Sequence, residues 1–480
     1  MYSGKLFLLL DSLNKSEMNR FRDFVNSPFF NKNEDTKRFL AILDHDKERQ
    51  LTKEQVSKKL FPGKPGDVRK ITDQVYYLSR LAEQFLSLQK FTGDHILQNI
   101  NLLSECLDRS IEKMALSVSD AIEMQLRETT YRDNTHYYRE FLFETELDKF
   151  YLGKEKVKRD ESLQKKTDSL DLFYISMKLR DCCEMLNRNQ IMQGFEYQMP
   201  MLESLKDYVK DFLFDFEKYP AIGIYYHIIL MLQYPDDETL FLKLKSLLGS
   251  SHDRFPENEL RDMYNYPRNY CIRKINAGDN DFYRPLFEIS KTLIDTGLIL
   301  TGKHITQRDY KNIVSMALRI GEFEWTLNFI NDYKSKISSE NRQNAYSYNL
   351  ANYYYETKEY TKAVKLLRDV EFTDVYYNLD AKTMLLKIYY ERDEDESFLA
   401  LAAAFKNYLT RNKLINEQTY LNYNNMLTYT RKAYYFKNRL PYQRGKDFGK
   451  NVKVLKEKVE GAKNILNSKW LVGEIEKLEQ

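Results

Sequence analysis

Leu350-Ala351-Asn352-Tyr353-Tyr354-Tyr355-Glu356-Thr357-Lys358-Glu359-Tyr360-Thr361-Lys362-Ala363-Val364 is the stretch whose reading decides the fold. A large and a small apolar residue open it, and aromatics follow one turn later at helical spacing. Thr357-Lys358-Glu359 is a polar break, and Ala363 follows the aromatic Tyr360 by three places, so a second helix begins there. The pattern recurs on both sides. Upstream stands Ile313-Val314-Ser315-Met316-Ala317-Leu318-Arg319-Ile320-Gly321-Glu322-Phe323-Glu324-Trp325-Thr326-Leu327, and downstream Leu385-Leu386-Lys387-Ile388-Tyr389-Tyr390-Glu391-Arg392-Asp393. The copies are about 35–37 residues apart, the period of helical-hairpin repeats. One hairpin cannot bury its own apolar face, so the expected arrangement is a stack of hairpins, an α-solenoid.

The rest of the chain is compatible with an all-α protein. Its 480 residues include only 16 Gly and 10 Pro, too little punctuation for a sheet-rich fold with many turns. Charged residues make up 30% and hydrophobic ones 42%, a balance that excludes a disordered chain. Aromatic residues, mostly Tyr, reach 14% and suit helix packing in which the ring is buried and the hydroxyl meets water. The net charge of +3 carries no global nucleic-acid signature. Cys106, Cys182, Cys183 and Cys271 form no metal pattern, and so few cysteines in so long a chain fit a reducing cytoplasm. Leu6-Phe7-Leu8-Leu9-Leu10 is interrupted by Asp11 and lacks a cleavage site, so secretion is not expected. No segment approaches the roughly 18 apolar residues of a membrane span.

Four regions follow. Residues 1–92 read as a helical N-terminal unit: Lys15–Asn26 is a helix stopped by Ser27-Pro28, Asn33 caps another, and Thr52-Lys53-Glu54-Gln55 has capping-box spacing. After the turn Pro62-Gly63-Lys64-Pro65-Gly66, a long helix runs from Asp67 to about Lys90. Residues 93–168 form a polar helical connector, with Gly153–Asp168 as a solvated face or hinge. Residues 169–412 hold helix pairs near 170–212, 219–249, 257–297, 304–338, 341–374 and 378–412. Pro235-Asp236-Asp237-Glu238 marks a helix start, and Gly249 and Gly278 mark helix ends. Residues 413–480 form a basic helical C-terminal cap that includes Trp470-Leu471.

The copies resemble tetratricopeptide repeats. That family places a Leu and a small residue in the first helix, an aromatic one turn later and Ala in the second helix; here these are Leu350, Ala351, Tyr354 and Ala363. The upstream copy has Ile313, Val314 and Ala317 but Thr326 in place of Ala, and the downstream copy has Leu385, Leu386 and Tyr389 with Phe398 at that position. The chain as a whole looks similar to large bacterial repeat proteins of this type without an assigned activity. The likeness implies a fold and a peptide- or helix-binding concave face, but no reaction. The resemblance places Lys311, Asn312, Ser315, Tyr348, Asn349, Asn352, Tyr355 and Lys387 on that face. One subclass clamps a terminal carboxylate. Lys311 and Asn349 stand at clamp-like positions, whereas Asp380 and Met384 occupy places where that clamp needs basic residues.

Chemistry is sparse in the sequence. The six histidines have no metal-ligand spacing, no nucleophile elbow is present, and Gly445–Asn451 is too short and strandless for a phosphate loop. The expectation is a non-catalytic protein-binding scaffold that needs neither cofactor nor metal. The alternative is a nucleic-acid-associated regulator. It would use the helix-turn-helix-like Leu51–Leu86, with Arg69, Lys70 and Arg80, or the basic segment Arg431–Lys463. In that segment Arg431, Lys432, Lys437, Arg439, Arg444, Lys446 and Lys450 are interleaved with Tyr434, Tyr435, Phe436, Tyr442 and Phe448, a pattern that can neutralise phosphates and stack bases.

Overall fold

A computed structural model of the chain describes residues 4–46, 50–63, 68–152, 161–191, 196–213, 215–369, 374–439, 446–462 and 464–479. It is all-helical: 79% helix in 23 α-helices, with no strand among the described residues. No described helix is long and apolar enough to cross a membrane. The chain divides into two compact units. The first comprises residues 1–229 with 253–255, and the second comprises 230–252 with 256–480.

The first unit contains α1 (Lys5–Ser12), α2 (Lys15–Asn26), α3 (Glu34–His45), α4 (Lys53–Leu60), α5 (Val68–Thr92), α6 (His95–Asp108), α7 (Glu112–Glu128), α8 (Asn134–Leu152), α9 (Ser162–Ile191), α10 (Leu202–Phe212) and most of α11 (Pro220–Gln233). Local chemistry sets its first helix starts. Asn14 and Glu17 form a reciprocal capping box on α2, and Asn33 accepts the Asp35 and Thr36 amides at the start of α3. Thr52 donates its amide to Gln55 Oε1 at 2.7 Å while its Oγ1 accepts the Gln55 amide at 3.3 Å, starting α4. Helices α1–α5 close over one apolar core in which Leu6, Phe21, Val25, Phe39, Val56, Ile71 and Leu78 are fully buried. Each such side chain contributes about 1.5–3 kcal/mol. Of the turn at 62–66, residues 64–66 lie outside the described residues, as do 153–160 of the polar stretch before α9. Cys182 and Cys183 are buried on α9, and burial pushes both thiols up, which keeps their sulfur protonated and unreactive.

The second unit continues with α12 (Glu238–Ser250), α13 (Glu257–Asn276), α14 (Tyr283–Asp295), α15 (Gln307–Arg319), α16 (Phe323–Tyr333), α17 (Arg342–Glu356), α18 (Tyr360–Asp369), α19 (Val375–Glu391), α20 (Asp395–Arg411), α21 (Glu417–Arg439), α22 (Lys446–Glu460) and α23 (Ser468–Glu476). Helix α15 packs on α16 and α17, α17 on α18 and α19, and α19 on α20, which in turn meets α21. Ala317, Ala351 and Ala363 are completely buried, so backbones approach closely at these points.

The turns inside the three hairpins are built alike. Gly321, Lys358 and Asp393 all have left-handed backbones, with φ of 81°, 64° and 56°. The next amide in each case, from Glu322, Glu359 or Glu394, reaches back to the carbonyl of Ala317, Tyr354 or Tyr389 at 2.8–3.0 Å. This six-to-one bond satisfies a carbonyl that the helix end would leave unpaired and reverses the chain within a few residues. The same device ends α6 at Ser110 and α13 at Gly278, where the Ile111 and Asp279 amides reach back to the Cys106 and Lys274 carbonyls.

Candidate functional site

The first helices of these three hairpins each present one face to a single cavity. From α15 come Lys311, Ser315, Leu318 and Arg319; from α17 Tyr348, Asn352, Tyr355 and Glu356; and from α19 Asp380, Thr383, Met384 and Lys387. Offsets of three, four, seven and eight residues keep one face of a helix in line, so each helix contributes a stripe. Leu466 and Asn467, just before α23, complete a cavity of about 560 Å³.

Its electrostatics centre on two carboxylates. Asp380 is ion-paired with Lys311 and accepts the Tyr423 hydroxyl at 2.6 Å. The Lys311 ammonium also sits over the rings of Tyr348 and Tyr377, at 5.2 and 5.6 Å. Glu391, at the C-terminal end of α19 and outside the lining itself, accepts the Tyr355 hydroxyl at 2.5 Å, the Trp470 indole N–H at 2.7 Å and the Tyr360 hydroxyl, with Lys358 at 3.6 Å. Burial alone would push the Glu391 carboxyl up. The two hydroxyls, the indole and the Lys358 charge outweigh that effect and hold it below its ordinary value. Tyr355 is driven the other way, by burial and then by the Glu391 charge, so its hydroxyl stays protonated and donates.

Lys387 is the exception in this arrangement. Its ammonium lies over the Tyr355 ring at 4.4 Å and the Trp470 ring at 5.3 Å, yet it makes no ion pair or hydrogen bond among the described residues. Burial pushes its amine below the ordinary lysine value, against the pull of Glu356 and Glu391. The Tyr348 hydroxyl is likewise without a hydrogen-bond partner among the described residues, although its side chain is almost entirely buried.

Of the residues the sequence assigned to a binding face, Lys311, Ser315, Tyr348, Asn352, Tyr355 and Lys387 line this cavity. Asn312 is exposed on α15 away from it. Asn349 is fully buried, and its Nδ2 donates to the Ala345 carbonyl at 2.8 Å, so it belongs to the helix packing. Leu318, Arg319 and Glu356 were not singled out, although extending the same spacing by one turn finds them. Glu391 and Trp470 have no such signal, because they meet from positions far apart in sequence.

The basic C-terminal residues are placed less uniformly. Arg431 and Lys432 are exposed on α21 and border a surface cavity of about 530 Å³ with Thr428, Tyr435 and Phe436. Lys437 turns inward, pairing with Asp393 at 2.5 Å and donating to the Tyr390 carbonyl at 2.8 Å. Lys450 is exposed on α22. Arg444 and the side chains of Arg439 and Lys446 lie outside the described residues. No cluster of His, Cys, Asp and Glu among the described residues is suited to a metal ion. No protein family, curated protein or solved structure matches the chain.

Proposed function

We propose that the second unit is a tetratricopeptide-like array, an α-solenoid of hairpins closed by the helical cap at 413–480. In this reading it acts as a non-catalytic scaffold that holds a peptide or helix of a protein partner against α15, α17 and α19. The observation that carries the reading is the convergence of one face from each of three helices on a cavity of about 560 Å³, a volume within the range of ligand sites. Its lining mixes tyrosine rings, an amide, hydroxyls and charges of both signs, which suits an extended polypeptide with its own mixed groups.

The test is steric. Ser315 is exposed on α15 and borders the cavity, so Ser315→Trp fills the space without touching the hairpin core. Affinity capture from the native source with mass-spectrometric identification should lose its specific partner with this variant, at unchanged helix content by circular dichroism. Undiminished capture would show that the face is not the site.

A second reading, anion or nucleic-acid binding, is favoured by Arg431 and Lys432. Both are exposed beside Tyr435 and Phe436, and neither has an ion-pair partner among the described residues. It requires a shift of labelled single-stranded DNA or RNA that strengthens as salt is lowered; no shift at low salt removes it.

A further inference from the structure

We infer that Lys387 is the anion-recognising group of the α15–α17–α19 cavity, and that it takes the side-chain carboxylate of an internal Asp or Glu in a mixed-charge peptide. The inference rests on the peptide-binding reading and names the chemistry of the occupant.

The lining carries three cations, Lys311, Arg319 and Lys387, against two carboxylates, Glu356 and Asp380. Lys311 is spent on Asp380, which also holds the Tyr423 hydroxyl. Arg319 is exposed, with its guanidinium over the Tyr283 ring at 4.6 Å. Lys387 is the remaining cation, half-buried and flanked by two aromatic faces. The nearby Glu391 does not serve it, because the Glu391 oxygens are taken by Tyr355, Tyr360 and Trp470, and the Lys387 ammonium stays beyond ion-pair distance. Removing an ammonium from water without a counter-charge is unfavourable, and an incoming carboxylate reverses that loss. Burial holding the amine below its ordinary value is the free-state expression of the same deficit.

The carboxylates select against a dianion. A single side-chain carboxylate needs one cation, which Lys387 supplies, whereas a phosphate dianion would face Asp380 and Glu356 within the same lining. Glu356 has no ion pair among the described residues and is free to meet a cationic side chain of the same peptide. The Tyr348 hydroxyl stays protonated because burial, then the Asp380 charge, oppose its ionisation. It is therefore a donor available to a peptide carbonyl. The aromatic flanks at Lys387 favour a carboxylate carried on a methylene stem, which covers the Tyr355 and Trp470 rings, over a bare chain terminus.

Trp470 provides the readout. The full chain with Trp325→Phe leaves Trp470 as its single tryptophan, directly over Lys387. An end-blocked peptide bearing one glutamate and one lysine, titrated to millimolar concentration, should change Trp470 emission saturably. The glutamine version, and the original peptide on Lys387→Met, should bind about tenfold more weakly or worse, while Lys387→Arg retains binding and Lys291→Met, at an exposed position on α14, leaves it unchanged. Equal binding to Lys387→Met overturns the inference, as does the absence of a saturable change. So does preference for inorganic phosphate or for a peptide whose only carboxylate is its terminus. The two readings fail separately. Partner capture that survives Lys387→Met but not Ser315→Trp keeps the groove and removes Lys387. Peptide binding at Lys387 with undiminished capture by Ser315→Trp does the reverse.

Discussion

Helices α1–α5 and the hairpins α15–α20 are both packed around rings, but the rings differ. The first group buries Phe7, Phe21, Phe24, Phe39 and Phe85, with Phe85 against Phe21 at 5.3 Å and Phe24 at 5.6 Å. The hairpins bury Phe329, Phe398 and Phe405 too, but most of their buried rings are tyrosines: Tyr310, Tyr348, Tyr355, Tyr377, Tyr389 and Tyr390. A phenylalanine core asks nothing of its surroundings but shape. A buried tyrosine also brings a hydroxyl that needs a partner, and several of these partners are carboxylates or carbonyls: Glu391 for Tyr355, the Ile330 carbonyl for Tyr310 at 2.7 Å and, from the adjoining α21, Asp380 for Tyr423. The consequence is that polar atoms converge where the tyrosines do. The N-terminal core closes on itself, while the hairpins leave a polar-lined cavity with an unpaired ammonium.

The largest effect that can test this contrast lies in the apolar core. Phe39 is fully buried between α3 and its neighbours, and Phe39→Ala should cost about 3–5 kcal/mol. Hydrogen exchange should report lost protection across α1–α5, with α17 and α19 protected as before. A loss spread evenly over both regions would mean that the two cores are not energetically separate.

A smaller effect is expected in the tyrosine region, and it should depend on pH. Glu391→Gln keeps one acceptor oxygen but removes the charge from a site with three donors, at a cost of about 1–3 kcal/mol. The folded-state pKa of Glu391 lies below its unfolded value, so its contribution is fully present above the unfolded pKa of about 4.3. It is lost as pH falls through the lower, folded value. Denaturant curves of the two proteins should therefore differ at neutral pH and converge in acid. A difference that persists unchanged at low pH would show that the carboxylate charge is not what orders Tyr355, Tyr360 and Trp470.

The same contrast explains how much could be read from the sequence. The helix starts at Asn33 and Thr52 were legible because a cap is a contact between residues two or three apart. The helix pairs were legible because apolar spacing and breaks repeat, whereas Lys311, Ser315, Asn352 and Lys387 were named from the face that the resemblance to tetratricopeptide repeats implies. Asn349 stands next to Tyr348, yet a single step rotates it by about 100° into the packing. Asp380 as the partner of Lys311, and Trp470 as the partner of Glu391, depend on tertiary proximity that no local spacing encodes.

The smallest effect concerns the turns inside the hairpins. Gly321, Lys358 and Asp393 share a left-handed backbone, but only Gly321 adopts it without a steric penalty. A Cβ added at Gly321 would meet no atom within 4 Å, so Gly321→Ala isolates the backbone term from packing. The substitution also narrows the unfolded ensemble, which favours folding, but the native φ of 81° is one that alanine resists, so the net sign is destabilising. The expected cost is about 1 kcal/mol, measured as a lower denaturation midpoint with an unchanged slope. Lys358→Gly is the reverse substitution in the next hairpin. It relieves the left-handed strain but gives up the Lys358 charge beside Glu391 and raises the entropy of the unfolded chain, leaving stability within about 1 kcal/mol of the parent. If Gly321→Ala were neutral, the left-handed turn would not be what holds α15 and α16 in register, and the alignment of the helix faces that line the cavity would have to come from the Ala317 and Ala351 packing alone.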